Sequence, residues 1–174
     1  ALDIVRRGGM AALTARSLAA ELGSSAKPVF GLFENMQEVQ DEVVRAANAE
    51  YQSFLRAEMM RGAYPPYKAS GIAYIAFARQ EKELFKLLFM RDRTEEDSET
   101  EDESIDGIIA LISRNTGLSN EDARLFHLEM WIFVHGIATM IVTGYLDWEE
   151  EYVSRTLTDV YEGLKARWCG GNGK

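Results

Sequence analysis

Residues 18–39 read LAAELGSSAKPVFGLFENMQEV, and this stretch decides how the N-terminal part of the chain folds. Two segments with helical apolar spacing are separated by Gly23, Ser24 and Ser25, and a proline, Pro28, falls inside the second segment. If Ser25 caps that segment, the proline lies in the first helical turn, where backbone amides have no intrahelical partner and proline costs little. The pattern therefore predicts a short second helix over residues 26–33.

The segments on either side of this stretch also carry helix signals. A helix is expected from the start of the chain to Arg7, and Thr14 is placed to cap a short helix that Gly23 ends. Asn35 followed by Glu38 has the spacing of a capping box, which predicts a long helix over residues 36–61. Its expected buried stripe contains Val39, Val43, Ala46 or Ala47, Tyr51, and Phe54 or Leu55.

The rest of the chain also has helical patterns. AYPPYKA (63–69) ends the long helix and begins the next, and EKELFKLLFM (81–90) and ESIDGIIALISRNTG (103–117) follow. Ser119 and Asp122 predict a cap for a helix through about Tyr145, and a last helix is expected over residues 147–168. Because no segment has a strand pattern, the sequence predicts an all-α fold. We expect an N-terminal three-helix domain at residues 1–47 and a larger helical domain at residues 48–174.

The net charge of −9 is concentrated in one segment. Residues 92–103, DRTEEDSETEDE, hold eight acids and one arginine, so the rest of the chain is close to neutral. A dense acidic run repels itself and resists packing, which predicts a solvated loop between helices. The alternative is an acidic tract that mimics DNA or recruits a partner.

The remaining composition favours a cytoplasmic protein. Cys169 is the single cysteine, so no internal disulfide can form. The apolar run MWIFVHGIATMIV (130–142) is shorter than the ~20 residues of a membrane span, and we expect a buried helix and no membrane contact. Ala1 begins in an apolar-periodic stretch without a leader pattern, and we expect the N-terminus to be incomplete.

Two short helices joined by a tight glycine-containing turn and packed on a first helix predict a helix-turn-helix. In this motif the second helix enters the DNA major groove with its N-terminal residues foremost. Lysine, arginine and threonine there can donate to phosphates or base edges, and small residues allow close approach. The alternative is an ordinary corner between two helices of a bundle. The candidate DNA-contacting residues are Thr14, Ala15, Arg16, Ser25, Ala26, Lys27, Pro28, Phe30 and Gly31.

Residues 11–39 resemble the DNA-binding domain of the TetR family of bacterial repressors. The residues that carry this resemblance are Thr14, Leu18-Ala19, Leu22-Gly23, Phe30-x-x-Phe33 and Asn35-Met36-x-x-Val39. The resemblance implies a transcriptional regulator, in most members a repressor, that binds a palindromic operator in double-stranded DNA as a homodimer. It also implies a small-molecule effector that releases the DNA.

The chain departs from the family pattern at three positions that commonly contact phosphate. Phe30 replaces a tyrosine, Leu32 replaces a histidine or another polar residue, and Met36 replaces a lysine. These departures leave a second hypothesis open. The protein is then an all-α dimeric ligand-binding or interaction protein that has lost DNA binding.

The helix over residues 119–145 has two apolar stripes and therefore needs two partners. One stripe contains Phe126, Met130, Phe133, Ile137 and Ile141; the other contains Leu128, Trp131, Ile132, His135 and Val142. The pattern Trp131-x-x-x-His135-Gly136 resembles one TetR subgroup, whose last two helices pair with their symmetry mates in a four-helix bundle. The alternative is a helix fully buried in a monomer. The candidate dimerisation residues are Phe133, Ile137, Ile141, Val153, Leu157, Val160 and Leu164.

The middle helices carry aromatic and flexible apolar residues suited to an apolar effector, although core packing explains the same pattern. His127 and His135 are eight residues apart without a carboxylate at metal-ligand spacing, so we expect no metal or other cofactor. No Glu-x-x-His pair, phosphate-binding glycine loop or nucleophile elbow is present, and we expect no enzyme. The candidate effector-binding residues are Tyr74, Phe77, Ala78, Phe85, Leu88, Phe89, Trp131, His135 and Met140.

Overall fold

A computed structural model of the chain describes residues 1–25, 27–92 and 102–170, and this part of the chain is helical without strands. The all-α prediction is confirmed. Short 3-10 turns at Met10–Ala12 and Val29–Gly31 flank the second helix. The α-helices are α1 (Leu2–Gly8), α2 (Ala15–Glu21), α3 (Met36–Met60), α4 (Pro66–Gln80), α5 (Lys82–Phe89), α6 (Asp102–Thr116), α7 (Asn120–Val142) and α8 (Glu150–Gly170).

Three of the four side-chain caps predicted from the sequence are confirmed. The Thr14 and Ser119 hydroxyls and the Asn35 side-chain oxygen each accept a hydrogen bond from the backbone amide three residues later, at 3.0–3.1 Å. At the start of α2 the bond is reciprocal, because the Thr14 amide donates to the Ser17 hydroxyl. At the start of α3 the Glu38 carboxylate instead accepts from the Glu34 amide, so the expected capping box is only half formed.

The two-turn helix predicted over residues 26–33 is wrong. Ala26 lies outside the described residues, and the segment after it is a turn followed by the 3-10 turn Val29–Gly31. Ser25 does not cap this turn, which has no side-chain cap. Pro28 lacks an amide and Gly31 favours the unfolded chain, so a segment this short gains too few hydrogen bonds to propagate an α-helix. Two helical bonds do form, from the Gly31 amide to the Lys27 carbonyl and from the Phe33 amide to the Val29 carbonyl.

The larger of two hydrophobic clusters runs from α1 to α8 without a break. It joins Val5 of α1 and Leu18 of α2 to Val43 of α3, Phe77 of α4 and Ile137 of α7. The helix α3 crosses the predicted boundary at residue 47, so the described N-terminal helices share their core with the helices that follow. The boundary between domains 1–47 and 48–174 stays a prediction.

A smaller cluster lies between α6, α7 and α8. Ile109, Ile112, Phe126 and Met130 are buried in it, and the Tyr161 ring packs on Phe126 at a centroid distance of 5.4 Å. Residues 93–101, most of the predicted acidic loop, and residues 171–174 lie outside the described part of the chain.

Helix α7 is long and apolar enough to cross a membrane by length and composition, contrary to the prediction from its shorter apolar run. The central helix of a water-exposed bundle passes the same test. In this fold α7 packs against α4, α6 and α8, and eight of its residues are buried inside the chain. Its position is therefore that of a core helix.

Besides its apolar contacts, helix α1 is joined to two other parts of the fold by one arginine. Arg6 donates to Glu81 at the α4–α5 junction at 2.8 Å, to Glu50 of α3 at 2.6 Å and to Asp3 at 2.5 Å. These carboxylates raise the pKa of Arg6 above its usual value, the Glu81 hydrogen bond being the largest cause. The guanidinium thus joins α1 to both α3 and the α4–α5 junction.

Candidate functional site

Most of the predicted DNA-contacting residues lie on the surface of the N-terminal helices. Thr14 and Arg16 are exposed at the start of α2, and Ala15 between them is half-buried. The later group, Ser25, Lys27, Pro28, Phe30 and Gly31, is exposed around the 3-10 turn Val29–Gly31. A DNA backbone or a second protein could reach both groups without unfolding the core.

The two cations of this surface, Arg16 and Lys27, differ from cations of the neighbouring helices α1 and α3. Arg7 forms an ion pair with Glu21 at 2.7 Å, and Arg45 forms one with Glu42 at 2.5 Å. Arg16 and Lys27 form no ion pair or side-chain hydrogen bond with any described residue. Their charges are thus available to an external anion.

Most of the predicted effector-binding residues pack against one another instead of lining a cavity. Phe77, Ala78 and Phe85 are fully buried, and Leu88 is nearly so. The rings of Tyr74, Phe85 and Phe89 have centroids 4.9–5.2 Å apart. These residues therefore pack in the core, which was the alternative to effector binding considered from the sequence.

Of the remaining three candidates, His135 contacts this aromatic cluster, Trp131 adjoins it through His135, and Met140 is exposed. Trp131 and Met140 are exposed on the outer side of α7, and His135 is half-buried beside Trp131. The imidazole stacks on the Trp131 ring at a centroid distance of 4.9 Å and 14°, and its Nδ1 is 2.9 Å from the Tyr74 hydroxyl. Burial lowers the pKa of His135 and raises that of Tyr74.

A second tyrosine–histidine pair joins the same two helices and was not anticipated from the sequence. The Tyr67 hydroxyl is 3.0 Å from Nδ1 of His127, and burial lowers the pKa of this histidine also. The two tyrosines are seven residues apart on α4, and the histidines are eight apart on α7. The available signal in the sequence was that both the two tyrosines and the two histidines are about two helical turns apart.

Two cavities lie elsewhere, between the end of α3, α4 and the start of α8. One has a volume of about 150 Å³ and the adjoining one about 80 Å³, and they share Glu58, Arg61, Ile72 and Glu150. We call the two together the α3–α4–α8 cleft. Neither contains a predicted effector-binding residue, because the cleft forms only where the distant start of α8 meets α3 and α4, and no local pattern marks that contact.

The cleft has an apolar floor and a charged rim. Ile72, Ile75 and Val153 form the floor. On the rim Arg61 is paired with Glu58 at 2.8 Å, and Glu150 accepts a hydrogen bond from the Tyr64 hydroxyl at 3.3 Å. A molecule with an apolar body and one or more polar groups fits this chemistry better than a wholly apolar one.

The predicted dimerisation residues mostly pack inside the chain. Ile137, Ile141, Val153 and Leu157 are buried in the larger cluster, so their side chains have no surface to offer a second subunit. The others are partly buried: Phe133 packs on the same cluster, and Val160 and Leu164 pack on the smaller one. Burial inside the subunit argues against the α7 stripe chosen from the sequence, and the dimerisation surface stays a prediction.

The outward stripe of α7 is apolar. It includes three members of the second stripe found in the sequence, Leu128, Trp131 and Ile132, which are 50%, 41% and 58% exposed. No described element of this chain covers it. The large exposed side chains of this stripe are Leu125, Leu128, Trp131, Ile132 and Met140.

Within the described residues, no group of three or more histidine, cysteine, aspartate or glutamate side chains is arranged to hold a metal ion.

No curated protein matches the chain. A protein-family model does match it, over residues 67–161, and its description is tetracyclin repressor-like, C-terminal domain. These residues are more than half of the chain and run from α4 into α8. Regulators of this family are not enzymes. The chain therefore belongs to the TetR family of regulators.

Proposed function

We propose that the protein is a homodimeric, sequence-specific DNA-binding transcription regulator of the cytoplasm, and that it is a repressor released from its operator by a small molecule. The observation that carries this proposal is the family membership given by residues 67–161. The Thr14-capped helix and the exposed Arg16 and Lys27 support the DNA-binding part, because they offer donors to phosphate on one short segment.

Two chains are needed to read a palindromic operator. The DNA-contacting elements of a dimer must lie about 34–36 Å apart, one turn of DNA. The outward apolar stripe of α7 supports dimerisation, since such a stripe on a water-exposed protein marks an interaction surface. Isologous pairing would bring α7 of each subunit against the other.

The effector is proposed to bind in the α3–α4–α8 cleft. Helix α3 lines this cleft at its end, through Glu58, and begins at Met36, just after the DNA-contacting segment. If a ligand binds one orientation of α3 more tightly than another, the population shifts towards that orientation. The separation of the two DNA-contacting segments in the dimer would then change. This proposal replaces the wholly apolar ligand expected from the sequence with an amphipathic one.

A gel-shift titration tests DNA binding. We expect the protein to retard the DNA upstream of its own gene, with an affinity that falls steeply as salt rises, because phosphate contacts release counterions. Arg16→Ala should weaken binding and reduce the salt dependence, since one phosphate contact is lost.

The control for this experiment is Arg45→Ala, which removes a cation that is already paired with Glu42. It should leave the affinity close to that of the unchanged protein. If no DNA is retarded specifically at low salt, the second hypothesis prevails. The protein is then an all-α interaction or ligand-binding member of the family, as the replacement of three phosphate donors by Phe30, Leu32 and Met36 favours.

A further inference from the structure

The four charged side chains that line the α3–α4–α8 cleft are not equally neutralised. Arg61 forms an ion pair with Glu58 at 2.8 Å. Arg79 forms one with Asp147 at 2.9 Å. The fourth side chain, Glu150, forms no ion pair with any described residue. Its carboxylate is therefore the one charge of the lining that has no ionic partner in the described part of the chain.

The immediate surroundings of Glu150 add negative charge. Glu149 and Glu151 flank it, are exposed, and likewise form no ion pair with a described residue. The Tyr64 hydroxyl donates to Oε1 of Glu150 at 3.3 Å, and this neutral donor does not cancel the charge. Oε2 of Glu150 accepts no hydrogen bond from the described residues, so it is available to a further donor.

Lys68, a cation of α4 that lies beside Tyr64, does not reverse this balance. Its ammonium donates to the Thr158 hydroxyl at 2.8 Å and lies 4.9 Å from the centroid of the Tyr64 ring. The lining of the cleft, the segment 147–151 and Lys68 together contain five acids and three cations. The charge at this end of the cleft is therefore negative with the lysine counted.

The apolar floor of the cleft can cover a group about the size of a phenyl ring. The larger of its two cavities has a volume of about 150 Å³, and Ile72, Ile75 and Val153 form its floor. An apolar cavity of about 150 Å³ is large enough to hold benzene. A ligand that fits here therefore combines a small apolar body with a polar group that reaches the rim.

An anionic polar group fits the rim less well than a cationic one. An anion would have to compete with Glu58 for Arg61, or with Asp147 for Arg79. A carboxylate that loses its ionic partner in this way becomes less stable. A cation placed at Glu150 adds an ion pair and breaks none.

We propose that the α3–α4–α8 cleft binds a small organic cation, an amine whose protonated nitrogen donates to Glu150 while its apolar body lies on the isoleucine and valine floor. This inference rests on the proposed effector site and names the chemical class of its ligand. Tyr64 holds the Glu150 carboxylate in place through Oε1, which leaves Oε2 for the ammonium group.

Three probes that share a phenyl group and differ in their polar end test the charge of the ligand. They are 2-phenylethylamine, a cation at about pH 7, the neutral 2-phenylethanol, and the anion phenylacetate. Titrations of the full chain followed by nuclear magnetic resonance measure the three dissociation constants. We expect the amine to bind about tenfold more tightly than the alcohol, because its hydrogen bond to Glu150 is charge-assisted. Phenylacetate should bind more weakly than either.

Two glutamine variants separate the role of Glu150 from that of the general negative field. Glu150→Gln removes the charge but keeps an oxygen for the Tyr64 hydroxyl. It should lower the affinity for the amine to that for the alcohol and leave the affinity for the alcohol unchanged. The matched control, Glu151→Gln, removes the same charge at the next position, which does not line the cleft. It should keep the preference for the amine.

The outcomes distinguish this inference from the proposed function. Equal affinities for the amine and the alcohol, or tightest binding of phenylacetate, overturn the inference and leave the cleft as the proposed effector site. A preference for the amine that persists in Glu150→Gln also overturns it, as does binding of none of the three probes. If the amine binds as expected but does not release DNA in the gel shift, the inference stands and the effector role of the cleft fails.

Discussion

His135 is the residue at which α4, α5 and α7 meet. Its imidazole is bonded to the Tyr74 hydroxyl, stacks on Trp131 and lies 6.0 Å from the Phe85 ring centroid. His127 has an analogous bond with Tyr67. Both histidines are neutral groups that folding partly withdraws from water, and burial lowers the pKa of each below 6.5.

This lowering makes the stability of the fold depend on pH. As the pH falls below about 6.5, the unfolded chain binds protons that the folded chain resists, so the free energy of unfolding decreases. The histidine contribution is present above that pH and is lost as the pH falls through the lowered values. In urea denaturation between about pH 7.5 and 5.5, the double variant His127→Gln, His135→Gln should therefore show a flatter pH dependence than the unchanged protein. Equal slopes would contradict this expectation.

Single residues were predicted well where the signal was local. Thr14, Asn35 and Ser119 cap their helices because a cap needs only the backbone three residues ahead. The two tyrosine–histidine bonds were missed, since each joins side chains about sixty positions apart and depends on which faces of α4 and α7 meet. His135 was expected to be hydrogen-bonded, but its partner could not be named.

At the scale of elements, α7 is apolar on two sides, so its periodicity alone could not decide which side faces the core. Phe126, Met130, Ile137 and Ile141 face inward, whereas Leu128, Trp131 and Ile132 face outward. The short segment over residues 26–33 was mispredicted for a different reason. Its apolar spacing was helical, but proline, glycine and short length together left only a 3-10 turn.

The two faces of α7 predict opposite results for aspartate substitutions. Ile132→Asp places a charge on the exposed stripe and should yield folded monomers by light scattering, because the charge would be desolvated in the dimer interface. Ile141→Asp buries an unpaired carboxylate in the core and should lower the free energy of unfolding by at least about 3 kcal/mol.

Met60→Asp, at an exposed site on α3, serves as the control and should remain dimeric. Ile132→Asp with the mass of a dimer would exclude the outward stripe of α7 from the interface. Circular dichroism of each variant separates loss of dimerisation from loss of the fold.

At the scale of the whole molecule, the described N-terminal helices and the helices after them form one connected core. Helix α3 spans from the proposed DNA-contacting segment to the α3–α4–α8 cleft, and Arg6 joins α1 to α3 and to the α4–α5 junction. The all-α class was predictable because the segments had helical spacing and none had a strand pattern. The cleft was not, because it exists only where the ends of three helices converge.

Filling the cleft should abolish the effector response. Ala76 lies half-buried in its wall, and Ala76→Phe would occupy the space of a ligand. In a thermal-shift screen of small amphipathic molecules, those that raise the midpoint of the unchanged protein should also release its DNA, because they bind the folded state selectively. Both effects should disappear in Ala76→Phe.

The matched control is Ala166→Phe, on the exposed side of α8, which should respond to the same molecules as the unchanged protein. Molecules that stabilise Ala76→Phe as strongly as the unchanged protein would locate the effector site outside the cleft.

The unequal spacing of the two tyrosine–histidine bonds fixes the register between α4 and α7. Tyr67 and Tyr74 are separated by about 10.5 Å along their helix, and His127 and His135 by about 12 Å along theirs. A one-turn slide of α7 in one direction would bring Tyr67 opposite Trp131, and a slide in the other would bring Tyr74 opposite Trp131. Neither position restores a hydroxyl–imidazole bond. A one-turn slide of α7 along α4 would therefore break both bonds, so we expect a signal that crosses this pair to move the two helices together.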